Sequence, residues 1–334
     1  MMYIGLDVHK KVCYGTLADE KGQILRREKF RNDPSGLRTF MRNIGEAEIA
    51  MEAGYCWQPL YDHLEKSGFK VRLVHPLKVK AIAEAKIKTD KIDSETITHL
   101  LRTDLLPESY VPPKEIRELR DLVRRRSFLV GFRTRIRNRV HAELVKRGVE
   151  LGVPPFSIEG RGLLAGMGLD AIGQILPVMD AADVQVRCIS RQLKRMSGGD
   201  ERARLLMTIP GVGYYIALLL VSEIGDVRRF SSSERLCSYA GLVPSVRRSG
   251  DSDRRGGITK TGSRWMRWAL TQAVHVHVRY ESDLSGFYRR LAREKGSQKA
   301  VMATARKMLK VVYWMLLNGE PYRPFQGGVD LARA

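Results

Sequence analysis

Four carboxylates in the first hundred residues have the types and spacing of a divalent-metal site. Asp7 lies inside an apolar run expected to be a strand, where a lone acid is costly to bury. Glu52 directly follows the apolar run IAM, which predicts a second strand. Asp90 and Asp93 stand at positions i and i+3, which places both carboxylates on one face of a helix. If all four converge at a sheet edge, two Mg²⁺ or Mn²⁺ ions between them could clamp the attacking and leaving oxygens of a phosphodiester.

Each of these acids also has a structural explanation. Asp90 and Asp93 could favour a helix N-terminus through its dipole, and Glu52 could cap a turn. Their combination with a strongly basic chain favours the catalytic interpretation.

A serine in an arginine-rich segment is a second candidate for chemistry. Ser249 follows two arginines and precedes a glycine in the run SVRRSGDSDRRGGITKTGSR, which is too polar to pack and predicts a loop. Such a serine could attack a phosphate while guanidinium groups balance the developing charge. Ser245 and Ser252 are equally available by chemistry, and the residues alone favour a loop that only contacts phosphates, because a free serine is a poor nucleophile. The basic residues of this loop predicted to contact nucleic acid are Arg247, Arg248, Arg254, Arg255 and Lys260.

The charge balance indicates a phosphate-rich partner. The 334 residues include 58 lysines and arginines against 37 acids, a formal net charge of +21. This balance is typical of nucleic-acid binding, with an acidic membrane surface or an acidic protein as the alternative. The sequence has no apolar run of membrane-spanning length, no signal-peptide layout and no CxxC pair among its four cysteines. We therefore expect a cytoplasmic protein that binds DNA and no membrane.

Two helical segments add candidate nucleic-acid contacts. Residues 114–147 carry 12 lysines and arginines against four acids, and with a second helical stretch at 169–197 they predict a helical hairpin that binds nucleic acid or forms oligomers. An ordinary packed helix pair with a solvated basic face is the alternative. In the IPGVG turn at 209–213, free backbone amides beside Gly211 and Gly213 predict a helix–hairpin–helix that grips phosphates, although a plain turn would also need glycine. The arginines of the first segment predicted to bind nucleic acid are Arg124, Arg125, Arg126, Arg133 and Arg137.

The order of the predicted elements gives the fold class. Three strands near 2–8, 11–18 and 23–30, followed by alternating helices and strands, predict a mixed α/β sheet. We expect three domains: 1–111 with the four acids, 112–200 with the basic helical hairpin, and 201–325, mostly α, with the glycine turn and the serine loop. Further helices are expected at 263–280 and 286–317. Their aromatic residues predicted to lie in the core are Trp265, Trp268, Tyr313 and Trp314. His275 and His277 lie in the helix expected at 263–280. They are predicted to be structural and not to bind a metal together.

These motifs together resemble those of a known family. YIGLDVHK, MEAGYCW and KTDKIDSE, followed by IPGVG, AGLVP and RSG, resemble in order the DEDD transposases of the insertion sequence 110 family over about residues 3 to 320. The resemblance implies an RNase H-like (RuvC-like) domain whose four acids bind Mg²⁺, and a helical transposase domain with Ser249 as nucleophile. It also implies a covalent phosphoserine link to DNA, a structured guide RNA, and dimers that pair into tetramers so that acids and serine meet across protomers. One departure is that many members read E-A-T-G-x-Y where this chain reads E-A-G-Y.

Two other functions are compatible with the residues. A metal nuclease similar to a junction resolvase would keep the acids and use the serine loop only to contact phosphates. A non-catalytic scaffold would use only the basic helices and the turn.

Overall fold

The computed structural model describes residues 1–83, 90–249 and 252–324, and the side chains of residues 77, 80, 81, 83 and 246–255 lie outside that description. The chain divides into two compact units, Met1–Val111 and Pro112–Ala334.

The first unit is built on a five-stranded mixed sheet with the strand order β3-β2-β1-β4-β5. Strands β1, β2 and β3 are antiparallel neighbours, whereas β4 and β5 run parallel to β1. This arrangement confirms the predicted mixed α/β sheet. The strands are β1 (Met2–Val8), β2 (Val12–Ala18), β3 (Ile24–Arg31), β4 (Ala47–Glu52) and β5 (Lys70–Val74), and the helices are α1 (Pro34–Phe40), α2 (Trp57–Lys66), α3 (Pro76–Ala83) and α4 (Asp90–Arg102).

The central strand β1 is buried on both faces, which explains its nearly continuous apolar sequence. Because side chains alternate along a strand, Ile4 and Leu6 point to one face and pack with Leu60 and Leu64 of α2. The opposite face of β1 is covered by α4. Asp7 belongs to that opposite face, beneath the acidic first turn of α4.

The second unit is mostly helical. Its helices are α5 (Lys114–Lys146), α6 (Ile158–Gly166), α7 (Asp170–Gly173), α8 (Leu176–Gly199), α9 (Glu201–Leu206), α10 (Tyr214–Ile224), α11 (Ser233–Tyr239), α12 (Arg264–His277), α13 (Asp283–Lys295) and α14 (Ser297–Asn318), and its strands are β6 (Pro244–Ser249) and β7 (Ser252–Ile258). The expected boundary between 112–200 and 201–325 does not divide this unit. Val123 of α5, Leu193 of α8 and Leu218 of α10 share one apolar core, because both long helices pack against α10.

Three local expectations need correction. The segment expected to be a polar loop forms the antiparallel pair β6–β7, because a two-stranded ribbon satisfies its backbone hydrogen bonds without needing apolar residues for a core. The single helix expected at 286–317 is two helices, which meet at Gly296 with φ +84°. Of the aromatic residues expected in the core, Tyr313 is buried, Trp265 is half-buried, and Trp268 and Trp314 are exposed.

The four cysteines, Cys13, Cys56, Cys188 and Cys237, are free thiols in this structure. Among the residues that the structure describes, no helix combines the length and apolar character needed to span a bilayer.

Candidate active site

The site begins with the close approach of α4 to β1. Gly5 faces α4, and a Cβ atom at this position would collide with the backbone oxygen of Ser94 and with Thr98. Glycine therefore lets the helix lie directly on the strand. Two residues further along the same face, Asp7 ends under the first turn of α4.

A group of buried hydroxyls fixes α4 against β2. The Oγ atoms of Thr16 and Ser94 are 2.9 Å apart. The Thr98 hydroxyl is 3.2 Å from the backbone oxygen of Thr16 and 2.8 Å from that of Ser94. Buried polar groups that satisfy each other specify one packing arrangement. These bonds hold the helix turn that carries Asp90 and Asp93 in register with the sheet.

Asp7 and Asp90 converge on His9, which lies just after β1. The Nε2 atom of His9 is 3.2 Å from Oδ2 of Asp7 and 3.4 Å from Oδ1 of Asp90. One ligand atom from each of the three residues lies within 4.8 Å of the other two. Carboxylate oxygens suit Mg²⁺ and Mn²⁺, and an imidazole nitrogen is a ligand more readily taken by Mn²⁺ than by Mg²⁺. The donor set therefore fits a divalent cation.

The electrostatics of Asp7 favour the same ligand. Asp7 is 5% exposed. Burial raises the pKa of its carboxyl group, His9 opposes that rise, and the nearby carboxylates of Asp90 and Asp93 add to it. Asp93 is thus close enough to act on Asp7. A cation placed among these groups would offset both the burial and the mutual repulsion.

The strand register places Glu52 on the same face. Leu6 of β1 pairs with Met51 of β4, and Asp7 and Glu52 follow them on these two parallel neighbours. Neighbouring strands lie about 4.8 Å apart, and residues in register point to the same face. The shortened turn after β4 is closed by backbone bonds from Ala53 to Val74 and from Gly54 to Glu52. Glu52 therefore lies on the face of the sheet that carries Asp7 and that α4 covers. Among the described residues, the ligand atoms within 4.8 Å of one another come from Asp7, His9 and Asp90.

His9 is the site residue that the sequence did not single out. The signal available was its position two residues after Asp7, at the end of an apolar strand. An isolated histidine near an acid is common, so the spacing alone could not distinguish a site residue from a turn residue.

The serine segment is a ribbon whose strands pair only with each other among the described residues. Ser249 and Ser252 are the last paired positions, at the end of the ribbon farthest from its base. Ser245 lies near the base, where its Oγ would meet a Cβ atom added at Gly256. The side chains of Ser249 and Ser252 lie outside the described residues. The backbone places these two serines, and not Ser245, at the last pair of the ribbon.

The base of the ribbon is fixed by backbone geometry and one guanidinium group. Arg267 donates to the backbone oxygens of Ala240 and Gly262 at 2.9 and 2.8 Å. A Cβ atom at Gly262 would collide with the backbone oxygen of Tyr239. Gly241 has φ +68°, a conformation that favours glycine. These features determine where the two strands leave the helical unit.

Two family models match the chain in these two regions. Residues 4–147 match the model of DEDD transposases of IS110. Residues 203–289 match the model described as Transposase IS116/IS110/IS902 family. The chain belongs to the IS110 family of DEDD transposases. It is therefore an enzyme that acts on DNA, and its family generally uses a divalent metal.

Curated relatives align along nearly the whole transposase. A protein described as "Probable family 20 transposase" from Pseudomonas aeruginosa is 27% identical, over 96% of this chain and 98% of the relative. The transposase for insertion sequence element IS1111A of Coxiella burnetii is 24% identical, over 96% of this chain and 91% of the relative. The transposase for insertion sequence element IS1328 of Yersinia enterocolitica is 26% identical, over 85% of this chain and 86% of the relative.

The five arginines predicted on α5 have different surroundings in the transposase. Arg124 donates to the buried carboxylate of Glu223 at 2.7 Å, and Arg126 donates to Ser190 and stacks on Tyr215. Arg133 pairs with Asp183 at 2.8 Å, and Arg137 lies over the ring of Phe156. Arg125 is exposed and lines an open cleft. Four of the five guanidinium groups thus hold the helical unit together, and nucleic-acid contact by any of the five stays a prediction.

The IPGVG turn of the transposase joins α9 to α10 and rests on the end of α12. Gly211 has φ +92°, and a Cβ atom there would collide with the backbone oxygen of Ala273. Gly213 is exposed with open space around it, and precedes the first residue of α10. Gly211 is therefore required for packing, whereas the space at Gly213 leaves room for a phosphate. The helix–hairpin–helix function of this turn stays a prediction.

Proposed function

We propose that this transposase cuts and rejoins DNA with divalent metal held by Asp7, Glu52, Asp90 and Asp93 and with Ser249 as the nucleophile. Mg²⁺ or Mn²⁺, as two ions, would polarise the phosphodiester and stabilise the charge that develops on it. The observation that carries the proposal is the convergence of Asp7 and Asp90 beneath the first turn of α4, with Asp93 close enough to affect the pKa of Asp7.

The role proposed for Ser249 is covalent catalysis. Its hydroxyl oxygen attacks phosphorus and gives up its proton, a serine–phosphate bond forms, and the phosphorus–oxygen bond to one deoxyribose breaks. The leaving oxygen takes up a proton. One ester bond replaces another, so the reverse attack by a new DNA hydroxyl rejoins the strand without an external energy source. The position of Ser249 at the last pair of the ribbon supports this role.

The proposal includes an RNA guide and an oligomer. A formal net charge of +21 suits a large phosphate surface of DNA and RNA together. The resemblance in sequence motifs adds that the RNA is encoded by the element and that dimers pair into tetramers. Nucleic-acid contacts are assigned to the exposed basic residues Arg125 and Lys260, to the backbone at Gly213, and to the arginines of the ribbon, Arg247, Arg248, Arg254 and Arg255.

A denaturing gel that detects protein covalently joined to labelled DNA tests the proposal. With the element DNA, its flanking RNA and Mg²⁺ supplied, we expect an adduct with the native chain and with Ser245→Ala, and none with Ser249→Ala. Ser245→Ala is the matched control because it removes the same hydroxyl at the base of the ribbon. Loss of the adduct with Ser252→Ala in place of Ser249→Ala would reassign the nucleophile.

The alternative activity is a metal nuclease without serine catalysis, which the acid cluster by itself would support. The same gel separates the two. Metal-dependent cleavage that persists in Ser249→Ala, with no adduct in any variant, would favour the nuclease and refute the covalent mechanism.

A further inference from the structure

The second unit contains an open cleft of about 600 Å³ between α5 and the beginning of α12. This volume is within the range of about 300–1,000 Å³ found for small-ligand sites. The described residues that line the cleft do not belong to the serine ribbon, and the function proposed above uses one of them, Arg125, as a nucleic-acid contact. The residues of its lining that matter here are Arg125, Phe128, Gly131, Arg135, Arg264 and Trp265.

Two aromatic residues line this cleft, Phe128 and Trp265. Trp265 is half-buried and packs against the core, whereas core packing does not explain Phe128. Phe128 is 61% exposed, although a phenylalanine is ordinarily buried. Its ring is nearly parallel to that of Phe132, with an interplanar angle of 8°. On the other wall, the guanidinium carbon of Arg264 lies 4.9 Å from the centre of the Trp265 ring. The cleft therefore offers flat π surfaces that solvent can reach.

Positive charge surrounds these rings. Arg125, Arg135 and Arg264 are exposed, and among the described residues of the lining Asp121 is the one acid. Arg124, the fourth arginine of the lining, is turned toward Glu223. Guanidinium groups beside stacking surfaces match a ligand that has both a flat ring and a phosphate.

We infer that this cleft binds an unstacked nucleotide of a single-stranded nucleic acid. The base would lie against Phe128 or Trp265, and the phosphate against Arg125 or Arg264. Bases within a duplex are already stacked on each other and cannot enter such a cleft, so the site selects single strands. The inference rests on the proposed function, in which DNA strands are opened and an RNA is bound.

Fluorescence anisotropy with the full-length chain tests the cleft. The probes are labelled oligothymidylate, oligouridylate and a DNA duplex of matched length. Phe128→Leu keeps an apolar side chain and removes the ring, and we expect it to weaken binding of single strands about tenfold. We expect Phe128→Tyr to bind like the native chain and both variants to bind the duplex unchanged.

A second pair of variants fills the cleft without removing a contact. An added Cβ atom at Gly131 meets only open space, and Gly131 lines the cleft within helix α5. Gly131→Leu should therefore leave the fold at least as stable, because glycine disfavours a helix, while it blocks the nucleotide. Gly286→Leu is the matched control, since Gly286 also lies in a helix with open space around it. We expect loss of single-strand binding with Gly131→Leu only.

Each outcome bears on the inference. A loss of affinity for oligothymidylate or for oligouridylate supports the inference. The larger of the two losses shows whether the cleft binds a DNA or an RNA strand. Native affinity in both Phe128→Leu and Gly131→Leu, or equal losses for single strands and duplex, would overturn it. Serine–DNA adducts that form normally while Phe128→Leu and Gly131→Leu both bind like the native chain would refute the cleft and leave the proposed function intact. If Phe128→Leu weakens binding of single strands but no variant forms a serine–DNA adduct, the cleft is supported and the proposed covalent mechanism is refuted.

Discussion

The acid cluster and the serine ribbon are positioned in opposite ways. Asp7 and Asp90 are far apart in sequence and come together because α4 packs closely on β1. Glu52 reaches the same face of the sheet from the neighbouring strand β4. The ribbon is local in sequence, and its strands pair only with each other among the described residues. What fixes it lies at its base, where Arg267 holds two backbone oxygens.

This difference predicts how the two regions respond to substitution. A change beneath α4 should alter folding and metal binding together, because the same contacts support both. A change at the far end of the ribbon should leave stability almost unchanged, since a two-stranded pair adds little to it. Substitution of Ser249 should therefore lower activity without lowering stability, whereas substitution around Gly5 should lower both.

Replacement of Asp7 should have the largest effect on activity. Asp7→Asn removes a proposed metal ligand, and we expect DNA cleavage to fall by more than about a hundredfold, since even the groups that orient a ligand contribute about 10–100-fold. The same change removes a buried charge that lies near Asp90 and Asp93, so the melting temperature without metal should rise. A cleavage assay and thermal unfolding in chelator measure the two effects.

The effect of added Mg²⁺ on the melting temperature tests whether Asp7→Asn acts through metal binding. Mg²⁺ should raise the melting temperature of the native chain, because a ligand that binds the folded state stabilises it, and should not raise that of Asp7→Asn. Glu46→Gln, at an exposed acid of the same unit, should behave like the native chain. An equal Mg²⁺ response in Asp7→Asn would contradict the metal site.

The next largest effect is expected at Gly5. Gly5→Ala forces α4 away from β1, and overpacking of this kind costs about 1–3 kcal/mol. We also expect lower cleavage at saturating Mg²⁺, because Asp90 and Asp93 move with the helix. Denaturant unfolding and the cleavage assay check both. Gly45→Ala, with open space around it, is the control, and an active Gly5→Ala would show that the acids tolerate displacement.

The acid cluster and the basic segments also differ in how well the sequence predicts them. The acids were predictable because an acid in an apolar strand and a pair at i and i+3 each have a simple geometric meaning. The mixed sheet followed from the order of strands and helices. His9 was not predictable, since its role depends on the tertiary approach of Asp90.

The basic segments show where sequence reasoning stops. A helix with many arginines presents the same pattern whether its guanidinium groups face solvent or neighbouring helices. Arg124 and Arg125 are adjacent, yet among the residues that the structure describes only Arg124 meets a buried carboxylate, that of Glu223 on α10. Such pairing depends on which helix packs alongside, and charge counting does not contain that information. The ribbon was missed for a related reason, because its pairing needs no apolar pattern.

The adjacent arginines give a smaller, sharper test. Glu223 is 2% exposed and accepts bonds from Arg124 and from the Ser263 hydroxyl. Arg124→Met leaves that charge without its ion pair, and we expect the free energy of unfolding to fall by about 2–3 kcal/mol. Arg125→Met should change it by less than about 0.5 kcal/mol and should weaken nucleic-acid binding. Urea unfolding and anisotropy distinguish the two, and equal losses of stability would contradict the division of roles.

The smallest expected effect is a pH dependence at the glycine turn. His277 is buried, with Nδ1 2.8 Å from the backbone oxygen of Pro210 and Nε2 2.8 Å from Oγ of Ser282. Because a carbonyl only accepts, Nδ1 carries the proton of the neutral ring and Nε2 accepts from the serine. Burial lowers the pKa of His277, and its bond to Pro210 opposes that shift.

The sign of the pH effect follows from that lowered pKa. Below about pH 6.5 the unfolded histidine binds a proton that the folded one does not, so this contribution to stability is full above that pH and lost as the pH falls. One proton limits the slope to about 1.4 kcal/mol per pH unit. We expect urea unfolding between pH 7 and pH 5 to show a shallower slope for His277→Gln than for the native chain. His275→Gln, at an exposed position in the same helix, should keep the native slope. If His277→Gln kept it as well, the turn would not depend on a neutral imidazole, and the contact between Pro210 and α12 would rest on the packing of Gly211 alone.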